Sequence, residues 1–260
     1  MAWRSDGAFA GHADQVGRPQ ARVSVAAELR LFLKPGHRGG PVRVGCDGIS
    51  SLGHVVQSLG IPLTEVGRLV VNGHPVPPRY RPGGGDVVEV AAVDRPQLVP
   101  AARFILDVHL GALARRLRLV GLDAAYANDA ADDALIEDAN TGRRILLTQD
   151  RGLLRRRTLW LGAYVYGARP DGQLADVLER FTPPLVPWTR CPACNGLLSP
   201  VPKAEVAPAL QPGTRRTYQE FSRCGACGKV YWRGAHAKRL QALIASAQRA
   251  AHTVTPIPGK

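Results

Sequence analysis

Three consecutive apolar residues, Ile145-Leu146-Leu147, follow Arg143-Arg144 and run into Thr148-Gln149-Asp150. So short and unbroken a run suits a strand buried on both faces, as in a parallel sheet. The pattern occurs earlier too, where Phe104-Ile105-Leu106 ends in Asp107. Ligands of open α/β sheets gather at the carboxyl ends of strands, so two such strands would bring two carboxylates to one edge. Helical periodicity lies around them. Leu110, Leu113, Ala114, Leu117 and Val120 form one stripe, stopped by Gly121. Leu135, Ile136 and Ala139 form a second within Asp132 to Asn140, and Leu174, Val177, Leu178 and Phe181 a third. Ala163-Tyr164-Val165-Tyr166 is a further strand candidate. Strands alternating with helices predict a parallel sheet with right-handed crossovers.

Converging carboxylates suit phosphodiester hydrolysis. Hard ions such as magnesium and manganese take oxygen ligands, and at phosphorus they activate water and absorb negative charge. Asp107 and Asp150 are the first candidates. Asp132 and Asp133 open a helix that could sit above the same edge, and Asp171 in Arg169-Pro170-Asp171-Gly172 is a further candidate. Structural roles compete: Asp132 and Asp150 are placed as helix caps, and Asp171 before Gly suits a turn. Asp107 has the fewest such roles, because an acid directly after Phe-Ile-Leu is costly to bury unpaired. Arg115, Arg116 and Arg118 follow Asp107, and Arg151, Arg155, Arg156 and Arg157 follow Asp150. Guanidinium groups match phosphate oxygens, so Arg115, Arg118 and Arg151 are candidate RNA contacts, against the alternative of a solvated helix face.

Four of the five cysteines form two pairs, Cys191-Pro192-Ala193-Cys194 and Cys224-Gly225-Ala226-Cys227, with 29 residues between them. Two knuckles of this kind complete a tetrahedral thiolate site for structural zinc, and a hairpin could fill the gap. Cys46 stands alone and reads as a small hydrophobe. The N-terminus lacks the apolar core of a signal peptide and no run approaches ~18 apolar residues, which predicts a cytoplasmic protein with no membrane span. Residues 182–260 carry 11 basic and 2 acidic residues, nine units of the overall +13 net charge. That asymmetry points to a polyanionic partner, RNA above all. Trp232 and Tyr231 could stack on bases, although packing over the ribbon competes, and His236 could contact phosphate.

Residues 1–20 read as a disordered leader. A separate unit spans 21–96. Arg22-Val23-Ser24-Val25 and Val42-Arg43-Val44 read as strands, and Ser51 to Gly60 as a helix. Leu29, Leu31 and Leu33 alternate within a stretch that also suits a loop. Leu69-Val70-Val71 runs into an Asn72-Gly73 turn, and Gly83-Gly84-Gly85-Asp86 leads into Val87-Val88-Glu89-Val90. His54 and His74 read as surface or packing residues. This order, with "LVVNGHPV" and "GGGDVVEV", resembles a ubiquitin-like β-grasp module of the sulfur-carrier type. The unit runs on through Val93-Asp94-Arg95-Pro96 with no free Gly-Gly end. Carrier chemistry is therefore not expected, and a docking or substrate-presenting role that recruits a protein partner is. As an adaptor, the chain would lose its partner but keep RNA cleavage when residues 1–96 are deleted.

The segments "FILDVHLGALARRLRLVGLD", "DDALIEDANTGRRILLTQDRGLL" and CPACN…CGACGKVYWRGAH together resemble the Mut-seven C-terminal RNase family. That family joins a PIN-like domain to a zinc ribbon, and some members carry a ubiquitin-like module in front. The resemblance covers about 21–240. It implies a multidomain α/β and α+β chain: β-grasp module at 21–96, PIN-like parallel α/β domain at 102–182, and zinc ribbon with a C-terminal helix at 188–250. It implies a magnesium- or manganese-dependent ribonuclease, with endonucleolytic cutting of transfer RNA or another structured RNA as the expectation. The metal-holding acids it implies are Asp107, Asp132 and Asp150, with Asp132 chosen over Asp133. A fourth acid, for which Asp171 is the candidate, is not fixed by the family pattern. The alternative is an RNA- or ribosome-binding protein that kept the fold without cutting.

Overall fold

In the computed structural model, residues 19–234, 241–242 and 244–245 are described. Strand β1 (Gln20–Val25) turns Ala21, Val23 and Val25 inward, as its alternation requires. It pairs antiparallel with β2 (Val42–Gly45) and parallel with a later strand of its sheet. Leu29, Leu31 and Leu33 do not form a strand. Ala27–Phe32 is a 3-10 helix that buries Leu29 and Phe32, with Leu33 closing it. Helix α1 (Leu52–Ser58) starts where the Ser51 hydroxyl accepts a hydrogen bond from the His54 amide. Strands β3 (Val66–Val71) and β4 (His74–Val76) form a hairpin through Asn72 and Gly73. Both turn residues have positive φ, 51° and 82°, which matches an Asn-Gly turn. Strand β5 (Val87–Ala92) completes a mixed sheet of order β2-β1-β5-β3-β4. Leu52 and Val56 of α1 close its core against Val23, Leu69 and Val88.

The second sheet is wholly parallel, with order β7-β6-β8-β9: β6 (Arg103–Leu106), β7 (Asp123–Tyr126), β8 (Ile145–Thr148) and β9 (Gly162–Tyr164). Its helices are α2 (Gly111–Leu119), α3 (Asp132–Thr141), α4 (Arg151–Leu154) and α5 (Pro170–Phe181). Alternation splits the central strands between two layers. Phe104, Leu106, Ile145 and Leu147 face Leu113 and Leu117 of α2 and Leu174 and Leu178 of α5. Ile105 and Leu146 face Leu135 and Ile136 of α3 on the other side. β7 has no counterpart in the sequence reading. Its Asp-Ala-Ala-Tyr lacks an apolar run because it is an edge strand. The helix expected from Leu110 to Val120 is shorter, since Val108–Leu110 is a 3-10 turn.

The third sheet is antiparallel: β10 (Leu198–Val201), β11 (Phe221–Cys224) and β12 (Val230–Trp232). The long gap between the cysteine pairs is a β10–β11 hairpin whose connection holds α6 (Lys203–Val206) and α7 (Pro212–Thr217). Of the leader expected at 1–20, residues 1–18 lie outside the described residues, whereas Gln20 already opens β1 because it pairs with Gly45. Most of the C-terminal helix expected from Ala237 also lies outside them, though Ile244 is buried in the α2/α5 core. Among the described residues, no helix is long and apolar enough to cross a membrane.

A buried ion pair joins the first two sheets. The Arg180 Nη1 of α5 donates to Glu65 Oε2 at 2.8 Å, with both side chains at most 2% exposed. Arg180 also donates to the Gln97 side-chain carbonyl at 2.8 Å and the Thr64 carbonyl at 3.2 Å. The second Glu65 oxygen accepts from the Tyr164 amide at 2.8 Å. Beside them the Phe32 and Tyr164 rings meet edge-to-face at 5.1 Å.

Candidate active site and metal centre

Asp107 and Asp150 both stand at the carboxyl edge of the parallel sheet, where β6 and β8 lie side by side. Thr148, fully buried, links them. Its hydroxyl donates to Asp107 Oδ2 at 2.6 Å and accepts from the Asp150 amide at 2.8 Å. The Asp107 amide donates to the Leu147 carbonyl, which locks the first acid to the neighbouring strand. Asp107 is buried and Asp150 exposed. Asp150 also caps α4, with Oδ1 accepting from the Gly152 amide at 2.5 Å. Gln149 fixes the next loop by donating to the carbonyls of Val165 and Gly167. Asp132 is exposed in the first turn of α3. Asp107, Asp132 and Asp150 do not come within 4.8 Å of one another as a set; among the described residues only the four cysteines do. Carboxylates repel one another where no cation joins them.

The other candidates divide. Asp133 is ion-paired with Arg156. Asp171 is not in a turn following a strand. It lies in the first turn of α5, where the helix dipole favours an acid, and Arg116 meets it at 2.5 Å. Arg115 is exposed. The Arg151 guanidinium lies 5.3 Å over the Phe32 ring, so it also braces the N-terminal module. Trp232 is partly exposed and packs near Tyr218 and Phe221, while Tyr231 turns its hydroxyl toward Cys191. His236 lies outside the described residues.

Arg118 must be reassigned. The sequence offered it as an RNA contact, but it is 3% exposed. Its Nε donates to the Ala124 carbonyl at 2.8 Å, and its Nη1 to the carbonyls of Pro192 and Ala193 at 3.1 and 3.0 Å. Burial dominates and holds its pKa below the usual guanidinium value, against the opposing pull of the Cys194 and Cys191 thiolates. The side chain fastens the first cysteine knuckle to the parallel sheet.

Asp123 on β7 makes the same junction from the other side. It pairs with Arg144 at 2.6 Å and Arg190 at 3.6 Å and accepts from the Asn195 amide group at 2.8 Å. Burial raises its pKa, but the hydrogen bonds of Arg144 and Asn195 and the charges of Arg144 and Arg190 outweigh that and hold it below the ordinary range. A carboxylate lowered in the folded state stabilises above its unfolded pKa, about 3.9. Its contribution is complete above that value and is lost as pH falls through the lower folded pKa. Urea midpoints measured from pH 6 down to 2.5 should therefore fall more steeply for the parent than for Asp123→Asn; parallel curves would refute this.

The four cysteine sulfurs lie within 4.8 Å of one another. Cys191 and Cys227 are 3.7 Å apart, and Cys194 and Cys224 3.5 Å. These spacings are far too long for disulfides and close to the roughly 3.8 Å edge of a thiolate tetrahedron with ~2.3 Å zinc–sulfur bonds. Burial raises the Cys191 pKa, but the Tyr231 hydroxyl and the Cys194 and Ala193 amides hold it below the usual thiol range. Four such thiols cannot all ionise unless a cation balances them. The donor set therefore fits zinc, in a closed site with no open position for catalysis.

An acid-edged parallel sheet fastened to a four-cysteine ribbon defines a class: an α/β module with a metal-knuckle appendage. Family comparison is more particular. The model of the Mut7-C RNAse domain matches residues 102–244, and that of the Mut7-C ubiquitin domain matches residues 18–97. The chain belongs to the Mut7-C RNAse family, with the ubiquitin-like module ahead of the RNAse domain. No match was found among curated proteins or among solved structures.

Proposed function

We propose that the protein is a ribonuclease dependent on magnesium or manganese, cutting RNA endonucleolytically, with transfer RNA or another structured RNA as substrate. The observation that carries this reading is the Thr148 bridge, which ties Asp107 and Asp150 together at the carboxyl edge of adjacent parallel strands. Asp107, Asp150 and Asp132 offer the hard oxygen ligands these ions take. A divalent ion held there would supply Lewis acidity and offset charge developing at phosphorus. The chain's own groups do the positioning. Thr148 spends its proton on Asp107 and leaves that carboxylate an acceptor. The α4 cap fixes Asp150 through Gly152. Exposed Arg115 is the substrate contact we retain on α2, and Trp232 offers an aromatic face on the ribbon for a base.

Purified protein incubated with mixed cellular RNA should yield fragments with manganese and none with EDTA. In Asp150→Asn the rate should drop by about three orders of magnitude, the scale of losing several kcal/mol of transition-state stabilisation. Thr148→Val keeps the shape and removes the bridge. It should slow cutting and cost about 1–3 kcal/mol of stability, because the buried Asp107 carboxylate loses its donor. Wild-type turnover in Thr148→Val would refute the positioning role.

A second reading is a non-catalytic RNA-binding protein. The observation favouring it is that the acids do not close into one ligand set while Arg116 engages Asp171. Tight, salt-sensitive RNA binding without cleavage by wild type would select it.

A further inference from the structure

We propose that the cleft between the ubiquitin-like module and the parallel-sheet module is a track for the phosphate backbone of RNA. The inference rests on RNA being the ligand of the proposed function, whether cut or only bound, and adds where the strand lies. The cleft has a volume of about 560 Å³. His54, Gln57, Thr64 and Arg79 line it from the N-terminal side, and Arg156 and Arg157 from the segment after α4. Among the described residues, no carboxylate lines it. Among the described residues, Arg79 and Arg157 have no ion pair and no side-chain hydrogen bond. They are exposed cations on facing walls. The Thr64 hydroxyl, on the same wall, is buried without a hydrogen-bond partner among the described residues.

Donors without acceptors on both walls match a ligand made of acceptors only. Guanidinium pairs with phosphate in a two-pronged geometry that few other groups satisfy. The position of the cleft names the occupant. Arg156 lines the cleft and is ion-paired with Asp133, the neighbour of Asp132 at the start of α3, so a candidate acid begins one side chain away from the cleft. A strand lying along Arg79 and Arg157 would run toward that helix start. Glu65–Arg180 pins the two walls together, so little ordering is needed when the strand binds.

The test is RNA binding by the full chain, in an Asp150→Asn background to prevent cutting, followed by fluorescence anisotropy across a salt series. Arg79→Ala with Arg157→Ala should bind about tenfold more weakly near 0.1 M salt and lose roughly 1.4 from the slope of log affinity against log salt, the value for two phosphate contacts on a single strand. Lys at both positions should restore most of the slope. Arg43→Ala, on the exposed edge strand β2, should change neither quantity. Parent-like affinity and slope in the double Ala variant would overturn the track, as would an equal loss in Arg43→Ala. If wild type cuts RNA while the double variant binds like the parent, the track fails and the nuclease reading stands. If wild type never cuts but the double variant binds more weakly, the nuclease reading fails and the track stands.

Discussion

Replacing Glu65 by alanine is expected to lower the free energy of unfolding by about 3–5 kcal/mol, the usual cost of stranding one partner of a buried pair. Arg180 would keep its charge at 1% exposure with its countercharge gone, and the Tyr164 amide would lose its acceptor. At the 2–4 °C per kcal/mol typical of this chain length, the melting temperature should drop by about 10 °C. Replacing both partners with apolar residues, Glu65→Leu and Arg180→Met, should recover much of the loss, since well-packed hydrophobes often match a buried pair. Urea and thermal unfolding of the three proteins decide the matter, and a single-variant loss under about 1 kcal/mol would refute it. One consequence corrects an expectation from the sequence. Deleting residues 1–96 would not simply remove a recruiting module. It would strip Arg180 of Glu65 and the Thr64 carbonyl and uncover Tyr164, so lost cleavage would reflect a damaged fold.

The second large effect concerns zinc. Removing the ion by chelation, or replacing Cys224 by serine, is expected to unfold the ribbon, because binding at such sites is worth about 10–16 kcal/mol in small zinc domains and is not separable from folding. The damage should travel. Arg118 would lose the Pro192 and Ala193 carbonyls and Asp123 the Asn195 amide group, which leaves charged groups near the parallel sheet short of partners. Atomic emission should find one zinc per chain, and loss of zinc should bring proteolysis within 188–234 before any cut in the parallel sheet. A chelated protein with unchanged protease resistance and melting temperature would show that the cysteines do not hold the ribbon through a metal.

Much of the architecture was legible, for identifiable reasons. Ile145-Leu146-Leu147 and Phe104-Ile105-Leu106 announce strands because both faces are covered, and the period of two then assigns each residue to the α3 layer or the α2/α5 layer. The cysteine pairs are legible because thiolate geometry demands their spacing. What stayed hidden depends on partners distant in sequence. Arg115 and Arg118 look alike on a helical wheel. The knuckle carbonyls 74 and 75 residues further on, with the Ala124 carbonyl of β7, separate a buried anchor from an exposed cation. Thr148 carries no signal of its own in the sequence, since its role requires β6 and β8 to be neighbours. β7 carries too little apolar character to register. Asp171 suited a turn because Pro-Asp-Gly fits a turn as well as it fits the first turn of a helix.

The Glu65–Arg180 pair also sets a timetable. Its two residues are 115 positions apart, and a ribosome adding about 5–20 residues each second needs roughly 6 to 23 seconds to cross that interval. In the later part of that interval, once Ala92 has been added, the first module has its own sheet complete, β1 closed against β5, but carries a bare carboxylate on the face it will later hide. Water solvates that charge, and an apolar neighbour that covered the face would have to strip the water away. The acid thus keeps the surface of the nascent chain open for the one guanidinium the same chain has yet to deliver.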